Sequence, residues 1–193
     1  MIELRIPYIY KDKDYIGYGG NQEWFLDEWA QKAGCASVLA SNMYAYYLGK
    51  RSVAYNDFLN IMETMYQEMI PGKMGYPFLY KFGRVFTKIM AQENQLFLPV
   101  YQKKSKSINH ALSFVLDSLN DFHPVAMLIL HHQAKELEDD NWHWICITGY
   151  QQTNDGYHII FSDCGERRII DANVLFDTSH QNVYKMVRMK KRS

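Results

Sequence analysis

The chain has 193 residues, of which 48% are hydrophobic and 15% aromatic, so it is long enough for one well-packed domain and too short for two. Its 21 basic and 21 acidic residues cancel. This balance gives no electrostatic reason to expect a nucleic acid or an anionic membrane surface as a partner. The basic cluster in residues 185–192 is expected to be a solvated chain end.

Segments that would place the chain in a membrane or outside the cell are not predicted. No apolar run approaches the roughly 20 residues that a membrane-spanning helix needs. Residues 1–5 lack the charged-then-apolar order of a signal peptide. The three cysteines are an odd and sparse set, which fits a reducing compartment better than a disulfide framework. We therefore expect a cytoplasmic protein.

Short extended segments and turns are predicted for the N-terminal part of the chain. Residues 4–10 alternate around Pro7, which predicts one edge strand, and a turn is expected at residues 11–14. Two glycines and an asparagine in residues 18–22 favour positive φ and predict a loop. A short helix is predicted over residues 24–32.

Helical patterns then dominate up to residue 120. From Cys35 to Leu48, small residues share turns with large apolar ones, which predicts a central helix packed on several sides and ended by Gly49. Other apolar spacings in this stretch are typical of amphipathic helices. They predict helices over 58–69, 78–90 and 108–119, the last with Ser107 as N-cap, and a strand over 96–101.

Beyond Pro124 the pattern changes to short β-rich runs, with turns at 154–156 and 164–165. Leading helices followed by antiparallel strands predict an α+β domain, with a helical half over about residues 20–120 and a sheet half over about 121–193. The central helix is expected to pack on that sheet. The predicted strands cover 125–130, 142–150, 157–161, 167–170 and 183–189.

Cys35 and His143 are the two residues whose types and positions indicate a reactive thiol. A thiol becomes a good nucleophile as a thiolate, and the first turn of a helix favours negative charge. A nearby imidazolium favours it further. Gly34 suits a tight turn whose backbone N–H groups point at a developing oxyanion. Either residue alone is typical of a protein core, but their order along the chain favours thiol chemistry.

Two short segments allow a comparison with a known family. Gly34-Cys35-Ala36-Ser37 leads into a helix, and residues 143–150 read His-Trp-Ile-Cys-Ile-Thr-Gly-Tyr. Both segments resemble the papain-like cysteine peptidases, in particular the branch related to bacterial double-glycine leader peptidases. In that branch a Gly-Cys pair starts the central helix, and the catalytic histidine begins a strand of the form His-Trp-Val-x-Ile-x-Gly-Tyr. The resemblance implies a papain-like fold.

The resemblance also implies roles for particular residues. Cys35 is expected to be the nucleophile, and His143 the general base and acid. In the family, an Asp or Asn on a following strand orients the imidazole. Asp163 lies where this third residue is expected, and Asp171 is the alternative, although Asp171 also suits the N-cap of a short helix that ends near residue 176.

A glutamine upstream of the cysteine donates its amide to the oxyanion in this family. The chain offers Gln22 and Gln31, and neither lies at the usual distance from Cys35. We favour Gln22, because the glycine-containing loop of residues 19–22 could bring it close to the cysteine. Gln31 is expected on the solvent side of a helix.

Metal binding and cofactors are not expected. Adjacent residues of a strand face opposite sides of the sheet, so His131 and His132 are not expected to share an ion with His143. By the same alternation, Cys146 should face away from His143 into the core.

Two further features have alternative interpretations. Cys164 is expected to be a packed turn residue, with an approach to the candidate site as the alternative. Residues 136–140 form an acidic run, which is expected to be a solvated loop. The alternative for this run is a rim that prefers basic substrates.

The sequence therefore favours hydrolysis of a peptide or isopeptide bond through an acyl-enzyme on Cys35, with a peptide or protein as substrate. Transfer of the acyl group to an amine or thiol is a second hypothesis that uses the same residues. A papain-like binding module without activity is the third. The sequence predicts neither the specificity nor the oligomeric state.

Overall fold

Helices and strands alternate along the first part of the chain, and strands dominate its last third. The computed structural model describes residues 1–179 and 181–192. Its strands are β1 (Ile2–Glu3), β2 (Tyr8–Lys11), β3 (Asp14–Tyr18), β4 (Ser52–Ala54), β5 (Phe97–Gln102), β6 (Val125–His131), β7 (His143–Thr153), β8 (Gly156–Asp163), β9 (Glu166–Asp171) and β10 (Val183–Lys191). Its α-helices are α1 (Glu28–Ala33), α2 (Cys35–Tyr47), α3 (Tyr55–Glu68), α4 (Leu79–Gln92), α5 (Ile108–Asn120) and α6 (Ala172–Leu175).

The larger of two sheets has seven strands in the order β5-β10-β6-β7-β8-β9, with β1 also paired to β7. Its pairings are antiparallel. Strand β1 pairs with Gly149 and Tyr150, just past the residues of β7 that pair with β6. Strand β6 is buried at five successive positions, which indicates that both faces of the sheet are covered. The predicted α+β class is thus confirmed.

Alternate residues of β7 pack toward opposite faces of this sheet, as the pleat requires. Trp144 and Cys146 belong to a core that also contains residues of α2 and α4. Ile145 and Ile147 belong to a second core with residues of α5 and α6. The central helix therefore packs on the sheet as predicted. Strand β7 lies between the two cores, and His143 is its first residue.

The prediction of a single strand over residues 4–10 is wrong. The chain leaves β1 on the large sheet and then enters β2, which lies between β3 and β4 in a separate three-stranded sheet. Leu4 and Ile6, in between, are buried and lie outside any strand. The alternation of apolar residues here arises because Leu4 and Ile6 are buried where the chain passes from the large sheet to the small one. Strands β3 and β4 were not predicted, because a glycine interrupts β3 and β4 has only three residues.

Helix ends follow the predicted capping residues. Gly49 has a φ of 71° after the end of α2, and the Ser107 hydroxyl accepts a hydrogen bond from the His110 backbone N–H at the start of α5. The predicted helix over 24–32 is instead a 3-10 turn, Gln22–Trp24, followed by α1, whose N-cap is Asp27. Among the described residues, no helix has both the length and the apolar character to cross a bilayer.

Substitution of Gly149 tests the packing of β1 on β7. A Cβ atom at Gly149 would lie 2.5 Å from the Ile2 carbonyl oxygen and 2.9 Å from the Glu3 Cα atom, both backbone atoms of β1. Since backbone cannot move aside cheaply, Gly149→Ala should lower the free energy of unfolding by about 1–3 kcal/mol. Denaturant unfolding measures this change.

Gly72→Ala is the matched control for this prediction. A Cβ atom at Gly72 would meet only the Gly75 carbonyl oxygen, at 4.0 Å. Its free energy of unfolding should stay within about 0.5 kcal/mol of the wild type. Equal effects of the two substitutions would contradict the close packing of β1 on β7.

Candidate active site

Cys35 is the first residue of α2 and lies where two helices meet. Gly34 ends α1 and is also the N-cap of α2. Its φ of −84° is open to any residue, so conformational freedom is not what requires glycine here. A Cβ atom at Gly34 would lie 2.4 Å from the Ala30 carbonyl oxygen and 2.7 Å from the Phe25 ring. Lack of space therefore requires glycine before Cys35.

The Cys35 side chain is 7% exposed and sits at the first turn of α2. The N-cap of this helix makes no side-chain hydrogen bond. The N–H groups of a first turn have no partner within the helix and favour negative charge beside them. Cys35 therefore lies at the head of the central helix, where the sequence predicted it.

His143 begins β7 and Asp163 ends β8, so the antiparallel pairing of these strands brings both side chains to one end of the sheet. The His143 Nε2 atom lies 2.7 Å from Asp163 Oδ1. Trp142, just before His143, has a φ of 60°, a conformation uncommon for large residues and frequent near functional sites. The chain thus turns sharply into the strand where His143 is presented.

Cys35 and His143 line the same small cavity, although they are far apart in the sequence. Interaction with the Cys35 thiol helps to raise the pKa of His143. Asp163 binds Nε2 of the same imidazole. The fold therefore brings Cys35 and His143 to one cavity.

The pKa values of His143 and Asp163 move apart. Burial disfavours the imidazolium, but hydrogen bonds to Asp163, Cys164 and Cys35 outweigh it and raise the pKa of His143 well above its usual value. Burial also opposes charge on Asp163, but its hydrogen bond to His143 and the imidazolium charge hold the pKa of this carboxyl well below its usual range. At neutral pH the two groups therefore form an ion pair in a largely buried place.

Arg168, on β9, holds the Asp163 carboxylate from its other side. The guanidinium Nη1 donates to Asp163 Oδ2 and, at 2.9 Å, to Asp140 Oδ1. Nη2 donates to the Glu136 carbonyl oxygen at 2.7 Å. The guanidinium also lies 5.0 Å from the centre of the Phe161 ring. Arg168 thus fixes the direction in which Asp163 faces His143 and joins it to residues 136–140.

The interpretation of residues 136–140 as a solvated loop is wrong for part of this segment. Leu137 is fully buried and Asp140 is 3% exposed. Burial and the neighbouring Asp163 charge raise the pKa of Asp140, while Arg168 opposes that rise. A run of acidic residues is typical of solvent-facing chain, so sequence reasoning missed Asp140. The available signal was an arginine five residues after Asp163, which can bridge two carboxylates.

Gln22 is the candidate glutamine that lies at the site. It lines both the small cavity with Cys35 and the open cleft beside it. Its side-chain oxygen is buried and has no hydrogen-bond partner among the described residues. The Gln31 amide instead donates to the Phe25 carbonyl oxygen at 2.7 Å. Gln31 therefore stabilises the start of α1 and is not at the cysteine.

A short hydrogen-bond network positions the loop before Gln22. The Gly20 backbone N–H donates to Asn42 Oδ1 at 2.9 Å, and the Asn42 amide donates to Ser162 Oγ at 3.2 Å. The Ser162 hydroxyl donates to the Tyr18 carbonyl oxygen at 2.7 Å. These buried bonds tie the loop to α2 and β8, the elements that hold Cys35 and Asp163.

Asp171, the alternative to Asp163, lies away from the site. It is opposite His158 in the pairing of β8 with β9, at the other end of β8 from Asp163. Its Oδ1 accepts a hydrogen bond from the Asn173 backbone N–H at 2.6 Å. Asp171 is therefore the N-cap of α6, as its second interpretation predicted.

The other two cysteines differ in their relation to the site. Cys146 is buried in the core as expected, and burial raises its pKa to about 12. Cys164 is more than a packed turn residue, because its sulfur lies 3.8 Å from His143 Nε2. Burial raises the pKa of Cys164, and the histidine only partly opposes this. Cys164 is therefore a neutral thiol at neutral pH.

One group of three potential metal ligands lies within the described part of the chain. Atoms of His143, Asp163 and Cys164 lie within 4.8 Å of one another, and such nitrogen, oxygen and sulfur donors suit zinc. However, His143 and Arg168 already bind Asp163. His132 is separate from this group, and its Nδ1 accepts a hydrogen bond from the Ala134 backbone N–H at 3.1 Å.

An open cleft of about 470 Å³ adjoins Cys35 and His143. Two partly exposed tryptophans line it, Trp29 (41% exposed) and Trp142 (54% exposed). Residues 73–75 form another part of its wall. The thiol and imidazole are thus accessible from a surface that can hold a chain segment with apolar side chains.

Replacement of Asp163 tests the ion pair. Because the pKa of His143 is higher in the folded than in the unfolded protein, protonation of His143 stabilises the fold. This stabilisation is complete below the unfolded-state pKa and is lost as pH rises through the folded-state pKa. In Asp163→Asn the pKa of His143 should fall, because its hydrogen-bonded carboxylate is gone. NMR titration of the imidazole measures it. With Asp171→Asn as control, an unchanged pKa in both variants would contradict the pairing.

Removal of Arg168 tests the bridge between two buried carboxylates. Arg168→Met should lower the free energy of unfolding by about 2–4 kcal/mol, since Asp140 and Asp163 then face each other without a cation. The double variant Arg168→Met/Asp140→Asn should regain part of this loss, because one of the two charges is removed. Denaturant unfolding gives both values. Strictly additive effects of Arg168→Met and Asp140→Asn would show that Arg168 and Asp140 do not interact.

No protein-family model matches this chain, and a search of curated proteins finds no match.

Proposed function

We propose that the chain is a papain-like cysteine peptidase that hydrolyses a peptide or isopeptide bond through an acyl-enzyme on Cys35. One observation supports this proposal above the others. The cysteine at the start of α2 shares a cavity with His143, whose imidazole is bound 2.7 Å away by Asp163. This is the arrangement of nucleophile, base and orienting residue that covalent catalysis requires.

In the first half of the reaction, the Cys35 thiolate attacks the carbonyl carbon of the scissile bond, and the carbonyl electron pair moves to oxygen. The backbone N–H of Cys35 and the Gln22 amide stabilise this oxyanion. When the oxyanion collapses, the bond to nitrogen breaks and the amine takes the proton of the His143 imidazolium. A thioester on Cys35 remains.

In the second half, neutral His143 takes a proton from water while the water oxygen attacks the thioester carbonyl. Collapse of the second oxyanion breaks the carbon–sulfur bond and releases the carboxylic acid. Cys35 is again a thiolate, paired with the His143 imidazolium. Asp163 keeps one orientation of the ring throughout, because Arg168 holds its second oxygen.

Cys35 is a better candidate nucleophile than Cys164. Burial raises the pKa of Cys164, which keeps it as the unreactive thiol. It also approaches the Nε2 side of the imidazole, where Asp163 already binds. A thiolate nucleophile needs reducing surroundings, so a cytoplasmic location is part of this proposal.

Alkylation with iodoacetamide at pH 6 tests the activated thiol. Wild-type protein should react at Cys35 at least about tenfold faster than a model thiol, because the neighbouring His143 and the first turn of α2 favour attack by this sulfur. Cys35→Ala should remove the labelled peptide in mass spectrometry, and Cys164→Ser should leave it. A Cys35 rate no greater than that of the model thiol would overturn the mechanism.

Gln22→Ala tests the oxyanion role. Turnover of a p-nitrophenyl ester should fall about 10²–10³-fold, as when an oxyanion donor is removed from other hydrolases. Alkylation of Cys35 by iodoacetamide should change little, because that reaction forms no oxyanion. Gln31→Ala is the control and should keep ester turnover within a few-fold of wild type. Equal losses in both reactions would mean that Gln22 only supports the fold.

We predict that water is the acyl acceptor, and analysis of the reaction products tests this prediction. Acylated enzyme mixed with candidate amines in water should give mainly the free acid if the chain is a hydrolase. A dominant amide product would favour the acyltransferase hypothesis instead. An enzyme that is neither acylated nor alkylated would favour the inactive binding module.

A further inference from the structure

A second groove, of about 680 Å³, has a strongly basic lining. Four of the side chains that line it are cations, and none is a carboxylate. The cations come from three different elements or their ends, and in the described part of the chain none of them forms an ion pair with a carboxylate. They are Lys81, Arg84, Lys103 and Lys185.

The fold brings these like charges close together. Lys81 and Arg84 are three residues apart on α4, which places them on one face of the helix. In the pairing of β10 with β5, Met186 lies opposite Gln102, so the next residues outward, Lys185 and Lys103, adjoin each other. Like charges at such neighbouring positions repel. An anionic ligand would relieve this repulsion, whereas a neutral one would not.

Two other features of the groove limit the kind of anion. Phe78 and Tyr80 are 57% and 50% exposed, and the Lys103 ammonium lies 4.8 Å from the centre of the Tyr80 ring. The groove therefore alternates apolar surface with positive charge. An acidic peptide, with carboxylates and apolar side chains in turn, matches this lining better than a small inorganic anion.

The groove is close to the candidate active site along the chain. Residues 73–75 line the cleft beside Cys35, and residues 77–81 line the basic groove. Tyr76, between them, is buried, and its carbonyl oxygen accepts a hydrogen bond of 2.8 Å from the Trp144 indole N–H. This bond fixes the intervening segment to the residue that follows His143. Gly75 of the cleft and Pro77 of the groove are two residues apart, so their Cα atoms lie within about 7 Å of each other, which an extended peptide of several residues can span.

We infer that the basic groove binds an acidic segment of a peptide, and that this segment belongs to the substrate whose neighbouring bond lies in the cleft at Cys35. The second part of this inference rests on the proposed peptidase function. The first part does not, because binding in the groove involves no residue of the candidate catalytic set.

Binding is tested with Cys35→Ala protein and fluorescein-labelled hexaglutamate, by fluorescence anisotropy at low ionic strength. The matched hexaglutamine peptide should bind at least about tenfold more weakly, because it lacks the carboxylates. Arg84→Glu/Lys103→Glu should raise the Kd for hexaglutamate about tenfold or more, and Arg84→Gln/Lys103→Gln should have a smaller effect. The circular dichroism spectra of the variants should match that of the parent protein.

Lys50→Glu/Lys135→Glu is the matched control, with the same change of net charge at two exposed lysines that do not line the groove. Its Kd for hexaglutamate should stay within about threefold of the parent value. Equal weakening by the groove and control variants would overturn the groove as the site, since only net charge would then matter. Tighter binding of a labelled oligothymidylate than of hexaglutamate would also overturn the inference, in favour of a nucleic-acid surface.

A second measurement separates the two parts of the inference. Wild-type protein is treated with a peptide vinyl sulfone that has an acidic flank, or with its glutamine counterpart. The acidic reagent should label Cys35 about tenfold faster, and the groove variant should lose this preference. Hexaglutamate binding with no labelling of Cys35 by either reagent would contradict the peptidase proposal alone. Labelling without any preference would contradict the substrate role of the groove.

Discussion

The arrangement of the candidate site depends on one buried ion pair, between the His143 imidazole and the Asp163 carboxylate. Burial opposes the charge on both groups, and the largest interaction that opposes this effect for each is its hydrogen bond to the other. Such a pair is stable when further hydrogen bonds satisfy the remaining atoms. Arg168 provides them on the carboxylate side, and the Cys35 thiol interacts on the imidazole side. The fold therefore has to hold four elements in fixed positions at one end of the sheet, namely α2, β7, β8 and β9.

Asp140 is a further charged residue at the candidate site, beside Cys35, His143 and Asp163. It shares Arg168 with Asp163, so two carboxylates and one guanidinium lie together next to the histidine. A cation between two carboxylates lowers the cost of ionising either of them, and here Asp163 has the lowered pKa and Asp140 the raised one. Asp140 is in this sense a positioning residue, since it contacts Arg168 and acts on His143 through other groups.

Much of the fold was predictable because local signals agreed with tertiary packing. The Ser107 cap, the glycine after α2 and the short β-rich runs of β6 to β8 all indicate the elements that form. The first strand was mispredicted because alternation from Leu4 to Tyr10 reflects burial at a crossing between two sheets. Register within the small sheet and the short strand β4 depend on partners far along the chain, which a local pattern does not encode.

The site was predictable where residue type and order were informative, as for Cys35 and His143. It was not predictable where function depends on how a charged group is buried. Asp140 looks solvent-facing within its acidic run, yet Arg168 binds it. For Cys164 the less favoured alternative, an approach to the site, is the one found, since its sulfur lies 3.8 Å from the imidazole. Both positions follow from strand pairing and from the path of residues 136–140, which sequence spacing alone does not determine.

The central claim is that the Cys35 thiol and the His143 imidazole act as one ionised pair. The most direct test is the rate of Cys35 alkylation by an uncharged electrophile across pH 4 to 9, in wild type and in His143→Ala. We expect the wild type to react faster than His143→Ala at acidic and neutral pH, because a neighbouring imidazolium favours attack by the cysteine sulfur. Superimposable pH profiles for the two proteins would contradict it.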